Sequence, residues 1–227
     1  MGGSGRGPDP AGAGTLDVFL LAVAHDLRGS VAAIAGALDV LRSRSEQLAT
    51  EEVDTLLRTM ADAVAVAEEV IANLFDAERL RYGAARLVRA PVHLPELVQR
   101  ALDASGTAGR VRVDVDDAVV HVDAGLTERI LVNLVRNAVT HTPPGTSITV
   151  CGRDEGEHVS FHVDDDGPGI PAARRAEVFE PFRRAAGQGT GVGLHLVREF
   201  ARLHGGDATV EDRPKGGTSV RVRLPIS

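Results

Sequence analysis

Between Leu16 and Leu41 apolar residues recur at Leu16, Leu20, Val23, Leu27, Val31, Ile34, Leu38 and Leu41. Steps of three and four keep one side of an α-helix apolar and match a coiled-coil seam. A second stripe follows at Val53, Leu57, Met60, Val64, Ala67, Ile71 and Leu74. The polar stretch from Ser43 to Glu51 reads as the turn between them, with Thr50 as N-cap of the second helix. The pattern predicts a helical hairpin. Two helices alone bury little surface, and a hairpin of this kind completes a four-helix bundle by pairing with a second copy. A homodimer is therefore expected.

From about Ala84 the pattern changes. Val111 to Val115 and Val119 to Val122 alternate as strands do, as do Ile148 to Cys151 and His158 to Val163. Thr127 to Thr140 reads as a helix stopped by Pro143-Pro144-Gly145. Thr190 to Leu203 reads as another, ended by Gly205-Gly206. Ala208 to Val210 and Ser219 to Leu224 close the chain as a strand pair. Strands with helices on one side predict an α+β sandwich. The expected organisation is a disordered lead over residues 1–14, a hairpin over 15–83 and an α/β unit over 84–227. The lead is assigned on its Gly, Pro, Ala and Ser content.

Composition narrows the possibilities. The chain is 43% hydrophobic with no tryptophan, so its core must be built from Val, Leu, Ile and Ala. A net charge of -7 argues against a nucleic-acid partner. No apolar run approaches the ~20 residues that span a bilayer, and no signal peptide is visible. A cytoplasmic protein is expected. Cys151 is the sole cysteine, which excludes an intrachain disulfide and a zinc cluster, and it reads as a structural thiol on a strand.

The candidate chemistry lies in separated boxes. His25 is two residues from both Val23 and Leu27, about 200° around the helix from the seam, so it should face solvent with Asp26 beside it. Asn133 and Asn137 lie four apart on one helix face, where paired amides suit polyphosphate and Mg²⁺ contacts. Asp164-Asp165-Asp166-Gly167-Pro168-Gly169-Ile170 ends a strand. Three acids would repel phosphates, so one carboxylate should serve another purpose, such as accepting a hydrogen bond from an adenine amino group. Gly189-Thr190-Gly191-Val192-Gly193-Leu194 runs into a helix whose N-terminal N–H groups favour an anion. It is neither a dinucleotide fingerprint nor a P-loop, since no βαβ unit encloses it and no Gly-Lys-Ser/Thr is present.

Together these boxes resemble the catalytic core of bacterial sensor histidine kinases, from about Leu16 to Ile226. His25 to Arg28 is similar to the H box, Asn133 to Asn137 to the N box, and Asp165 to Ile170 to the G1 box. Phe179-Glu180-Pro181-Phe182 is similar to the F box, and Gly189 to Leu194 to the G2 box. Gly216-Gly217-Thr218 before the last strand also fits. The resemblance implies a dimerisation and phosphoacceptor hairpin followed by a Bergerat-type (GHKL) ATP-binding domain. It implies His25 as phosphoacceptor, Asp26 as the group that accepts or orients the ring proton, Asn137 as the Mg²⁺ ligand and Asp165 as the adenine-recognising acid. Gly167 and Gly169 would shape the pocket. His141 would lie near the nucleotide, where the family often has an aromatic. Residues 171–188 would form an ATP lid anchored by Phe179 and Phe182, with Arg183 and Arg184 contacting phosphate. Gly189, Thr190, Gly191, Val192, Gly193 and Leu194 would complete the ATP site. Asn133 stands where ATPase relatives carry a water-activating glutamate, which favours transfer over hydrolysis.

The implied activity is ATP-dependent autophosphorylation on His25 and transfer to the receiver domain of a response regulator. Two alternatives are a histidine phosphotransfer protein with a degenerate ATP domain and a serine kinase of the anti-sigma type. Gly29 and Ser30 replace the family's usual Thr, Asn or Ser followed by Pro, so phosphatase activity is expected to be weak. Thr140 replaces a common basic residue. A sensor is not visible, which leaves a separate sensor protein or a sensor domain absent from this sequence.

Overall fold

The computed structural model describes residues 10–44, 47–81, 86–181, 191–211, 213 and 216–226, with side chains for these apart from residues 10–20, 22 and 81. The chain divides into two compact units, Met1–Asp76 and Ala77–Ser227. The division falls inside the second helix, ahead of the expected boundary at residue 84.

The first unit is built on α1 (Pro10–Ser43) and α2 (Thr50–Arg81). Helix α1 begins inside the expected lead. Pro10 suits a first helical position because its missing N–H would be unsatisfied there anyway. Helix α2 is capped one residue earlier than expected. Ala49 O accepts from Glu52 N–H at 3.0 Å and Val53 N–H at 3.1 Å, so Ala49 is the cap and Thr50 opens the helix. The Glu52 carboxylate reaches back to Ala49 N–H at 2.8 Å, one half of a capping box.

The seam differs from the expected stripe. Buried positions are Val23, Ser30 and Ala37 on α1 and Ala63, Val70, Asn73 and Asp76 on α2. Val31, Leu38, Leu57, Val64 and Ile71 are 43–63% exposed. The expected stripe merged two adjacent faces. Small and polar side chains predominate on the buried one. The large residues, spaced by seven, form a second face that this chain leaves uncovered. Leu16 and Leu20 lie outside the described side chains.

The second unit holds a five-stranded sheet in the order β2-β4-β5-β7-β6 and a separate pair of β1 with β3. The strands are β1 (Ala90–His93), β2 (Arg112–Val115), β3 (Val119–Val122), β4 (Ile148–Asp154), β5 (His158–Asp165), β6 (Asp207–Glu211) and β7 (Thr218–Pro225). Among the described strands only β2 and β4 pair in parallel. Helices α3 (Leu94–Ser105), α4 (Ala124–His141) and α5 (Gly193–Leu203) form a layer in which α4 touches both α3 and α5 and lies against the sheet with α5. The sequence reading missed β1 and α3. Their apolar positions are nonetheless periodic, with Leu94, Leu97, Val98, Ala101 and Leu102 all buried.

Strand alternation builds the core. Val159, Phe161 and Val163 of β5 and Val220, Val222 and Leu224 of β7 are buried against Leu134, Leu196 and Phe200 in the helix layer. Between these positions come Cys151, His162, Arg221 and Arg223, on the opposite face. Burial pushes the Cys151 thiol up, and the nearby Asp164 and Asp114 carboxylates add to the effect. A thiol held protonated is inert, which fits a structural role.

Candidate functional site

Period-two alternation decides which acid of the triplet enters the site. Asp165 follows Phe161 and Val163 on the inward face of β5 and is 6% exposed. Asp164 and Asp166 point the other way. The Asp165 Oδ1 accepts Gly167 N–H at 2.9 Å and Thr218 N–H at 3.3 Å. Both bonds use one oxygen, which leaves Oδ2 able to accept from a ligand. Thr218 reaches this place because β5 and β7 pair Asp165 with Thr218.

The glycines beside it are required by close approach. A Cβ on Gly167 would lie 2.7 Å from the Thr142 methyl and 2.8 Å from Asp165 Oδ1. Gly169 has φ +76°, and a Cβ there would lie 2.9 Å from Gly217 O. The turn after β5 is thus wedged between the end of α4 and the start of β7, with no room for a Cβ at either glycine.

Helix α4 supplies the amides. Asp123 caps it by accepting Leu126 N–H at 2.9 Å. Asn133 is buried and donates to Arg129 O at 2.9 Å. A Cβ on Gly193 would lie 3.2 Å from the Asn133 Oδ1. The N-box helix and the first residue of α5 are therefore in direct approach, and Gly193 makes that approach possible. Asn137, one turn on, is half-buried. His141 lies at the end of α4, where partial desolvation lowers its affinity for a proton and the Asp165 charge raises it. Desolvation prevails, so its imidazole stays neutral near pH 7.

The segment after Ile170 makes two short turns, Ala172–Arg174 and Glu177–Phe179. Phe179 is 5% exposed and sits under Arg198, whose guanidinium carbon is 5.3 Å from the ring centroid. His195 Nδ1–H donates to Phe179 O at 3.2 Å. Both partners belong to α5, so the F-box phenylalanine is fastened to the helix that the G2 box opens. Phe182, Arg183, Arg184, Gly189 and Thr190 lie outside the described residues. Gly191 has φ +66°, Val192 is buried and Leu194 is half-buried.

In the hairpin unit His25 is solvent-facing, with its side chain 71% exposed, as its angle from the seam predicts. Its Nδ1 lies 3.1 Å from Asp26 Oδ1. A carboxylate can only accept here, so in the neutral ring the proton lies on Nδ1 and the lone pair on Nε2. The Asp26 side chain is only 11% exposed. It is anchored in the helix while the ring projects.

Comparison with known proteins decides the family. The model described as histidine kinase-, DNA gyrase B-, and HSP90-like ATPase matches residues 122–227. The sensor protein KdpD of Mycobacterium tuberculosis is 36% identical over 219 residues, covering 91% of this chain and 25% of that protein. The solved mycobacterial sensor histidine kinase MprB is 30% identical with a TM-score of 0.54, and the match covers 61% of this chain and 97% of that one. This chain belongs to the sensor histidine kinase family. ThkA, solved in complex with the response regulator protein TrrA, shares the fold at a TM-score of 0.60 and 22% identity, covering 90% of this chain and 60% of that one. The chain spans about a quarter of the length of the KdpD proteins it matches.

Within this family member, sequence reading singled out the boxes but not all the side chains that the structure packs against them. Thr218, His195, Arg198 and Arg213 all bind site residues. His195 and Arg198, three apart on the face of α5 that meets the F box, carried a signal only once that helix was placed. No helix among the described residues is long and apolar enough to cross a membrane.

Proposed function

We propose that this chain is the catalytic core of an ATP-dependent protein-histidine kinase that phosphorylates itself on His25 and passes the group to an aspartate of a response regulator receiver domain. The observation that carries this reading is Asp165. It alone of three successive acids faces the helix layer, with one oxygen held by Gly167 and Thr218 and the other able to accept an adenine amino group. Residues 15–83 serve as the dimerisation and phosphoacceptor hairpin and 84–227 as the ATP-binding domain.

His25 Nε2 attacks the γ-phosphorus in line. The N–P bond forms as the bond to the bridging oxygen breaks, and ADP leaves with that electron pair. Asp26 holds the Nδ1 proton and offsets the positive charge that grows on the ring. In onward transfer a carboxylate oxygen of the partner attacks phosphorus, the N–P bond breaks, and neutral imidazole returns. Asn137 would hold Mg²⁺ through its amide oxygen. The metal would neutralise phosphate charge when bound. Asn133 lacks a carboxylate to activate water, so hydrolysis does not compete.

The uncovered stripe Val31, Leu38, Leu57, Val64 and Ile71 supports a homodimer through the hairpin. Its need for ATP places the reaction in the cytoplasm, with the signal supplied by a separate sensor protein or sensor domain. Gly29 offers no side chain to position a water near His25, so phosphatase activity toward the regulator should be weak. Incubation with γ-labelled ATP tests the main claim. Wild type should acquire acid-labile label, and His25→Ala should acquire none while still binding ATP. Label that persists in His25→Ala overturns the assignment.

A further inference from the structure

Arg213 lies between β6 and β7, in none of the boxes. Its Nη1 donates to the backbone carbonyl of Asp165 at 2.5 Å and to Asp166 Oδ1 at 2.6 Å. The Arg213 side chain is 24% exposed, so its ion pair is shielded more than an ordinary surface pair. Gly217 presses on the same carbonyl, with a Cβ there falling 1.9 Å from Asp165 O. Thr218 N–H takes Asp165 Oδ1. Three groups from residues 213–218 thus grip Asp165, two at its carbonyl and one at its carboxylate. Each grip fixes a different freedom. The carbonyl contacts set the peptide plane from which the turn departs. The N–H contacts on Oδ1 set the carboxylate rotamer and hence the direction of Oδ2.

We propose that Arg213 is a positioning residue that holds Asp165 in the orientation needed to recognise an adenine-type base. The inference rests on the nucleotide reading above and extends it to a side chain outside the boxes. Arg213 acts in two ways. A single nitrogen bridges two acceptors, which locks the start of the turn. Its charge also offsets Asp166, which would otherwise repel both Asp165 and nucleotide phosphates. Arginine suits the task because the guanidinium fork presents donors in fixed directions, whereas a lysine ammonium binds as a point charge.

The test uses the full chain and two readouts. In the nucleotide-free protein, Arg213→Gln should speed amide hydrogen exchange at Gly167 and Thr218 by about tenfold, on the loss of charge-assisted bonds. Phe161 and Val222, paired in the middle of the same strands, should keep their rates. With ATP the variant should bind about tenfold more weakly, and its preference for ATP over GTP should shrink, because base recognition rather than phosphate contact is disturbed. Arg213→Lys should recover part of the affinity and little of the exchange protection. Unchanged exchange at Gly167 and Thr218 in Arg213→Gln overturns the proposal, as does an unchanged ATP-to-GTP ratio in a protein that binds ATP. If wild type binds no nucleotide while the two amides still respond, the nucleotide reading fails and the clamp on Asp165 stands. Should Arg213→Gln fail to fold, Asp166→Asn removes the charge partner alone. It should give smaller changes of the same sign at the same two amides, and none there would sink the idea.

Discussion

The two units bury opposite kinds of residue. In the α/β unit the fully enclosed side chains are large, among them Phe161, Phe200, Leu94, Leu97 and Ile130. In the hairpin the buried apolar residues are Val23, Ala37, Ala63 and Val70, while Leu57, Val64 and Ile71 stay exposed. Burial contributes about 25 cal/mol per Å² of apolar surface. The hairpin therefore keeps much of its apolar free energy in reserve, for association. The α/β unit has used its own. In the proposed reading, one chain joins a self-sufficient nucleotide module to a module that a second copy would complete, and His25 sits on the incomplete one.

The sharpest way to break this comparison is to charge the exposed stripe. Val64→Glu with Ile71→Glu would place four unpaired carboxylates in the core of the proposed dimer. Each buried unpaired charge costs about 3–5 kcal/mol, so association should weaken by well over 100-fold. Sedimentation should show monomers, with ATP affinity of the α/β unit unchanged. A dimer that survives would mean the stripe is not its seam. The mirror experiment is Phe161→Ala. Removing a fully buried phenylalanine should destabilise the α/β unit by about 3–5 kcal/mol and leave hairpin association intact, read by denaturant unfolding and sedimentation.

How much of this was legible in the sequence follows the same division. In the α/β unit, β5 and β7 alternate cleanly because one face is buried by large residues, so both strands and the Asp165 to Ile170 turn could be read directly. Strand β1 carries Pro91 and pairs only with β3, so nothing in its four residues signals a sheet. In the hairpin, periodicity gave the helices and placed His25 outward. It misassigned the seam, because hydrophobic size ranks Leu57 and Val64 above Ala63 although the alanine is the buried residue. Arg213 was invisible for a different reason. Its partners Asp165 and Asp166 are distant in sequence, and only the pairing of β5 with β7 brings them to it.

A pH series sharpens the contrast at smaller amplitude. His204 is 1% exposed. Its Nδ1–H donates to Phe200 O at 2.8 Å, and its Nε2 accepts Asp123 N–H at 3.3 Å. Both nitrogens are used in the neutral form, and burial holds its proton affinity below the ordinary histidine value. His162 is shifted the same way by burial and by Arg221. A lowered folded value means the unfolded chain binds protons first. Stability is complete above the ordinary histidine value of about 6.5 and falls as pH drops through that value toward the folded ones. Chemical unfolding of the α/β unit should therefore shift to lower denaturant between pH 7.5 and pH 5. His204→Gln should flatten part of that slope, and an unaltered slope would remove His204 as a cause.

The smallest effect is expected at Gly29, and it bears on the acceptor directly. Glycine within a helix costs roughly 1 kcal/mol relative to alanine, through the backbone freedom lost on folding. A Cβ at Gly29 would meet nothing within 4 Å, so Gly29→Ala adds helix propensity without a clash. The hairpin should gain up to about 1 kcal/mol, seen as a higher unfolding midpoint at fixed dimer concentration, and the α/β unit should not change. Gly29 stands one turn after His25 on the same helix. If its freedom is retained so that the helix can yield while phosphate is donated or passed on, Gly29→Ala should slow labelling of His25 or transfer from it even as the hairpin grows more stable. Greater stability with unaltered rates would show instead that this glycine is a tolerated loss of helix propensity with no part in the chemistry at His25.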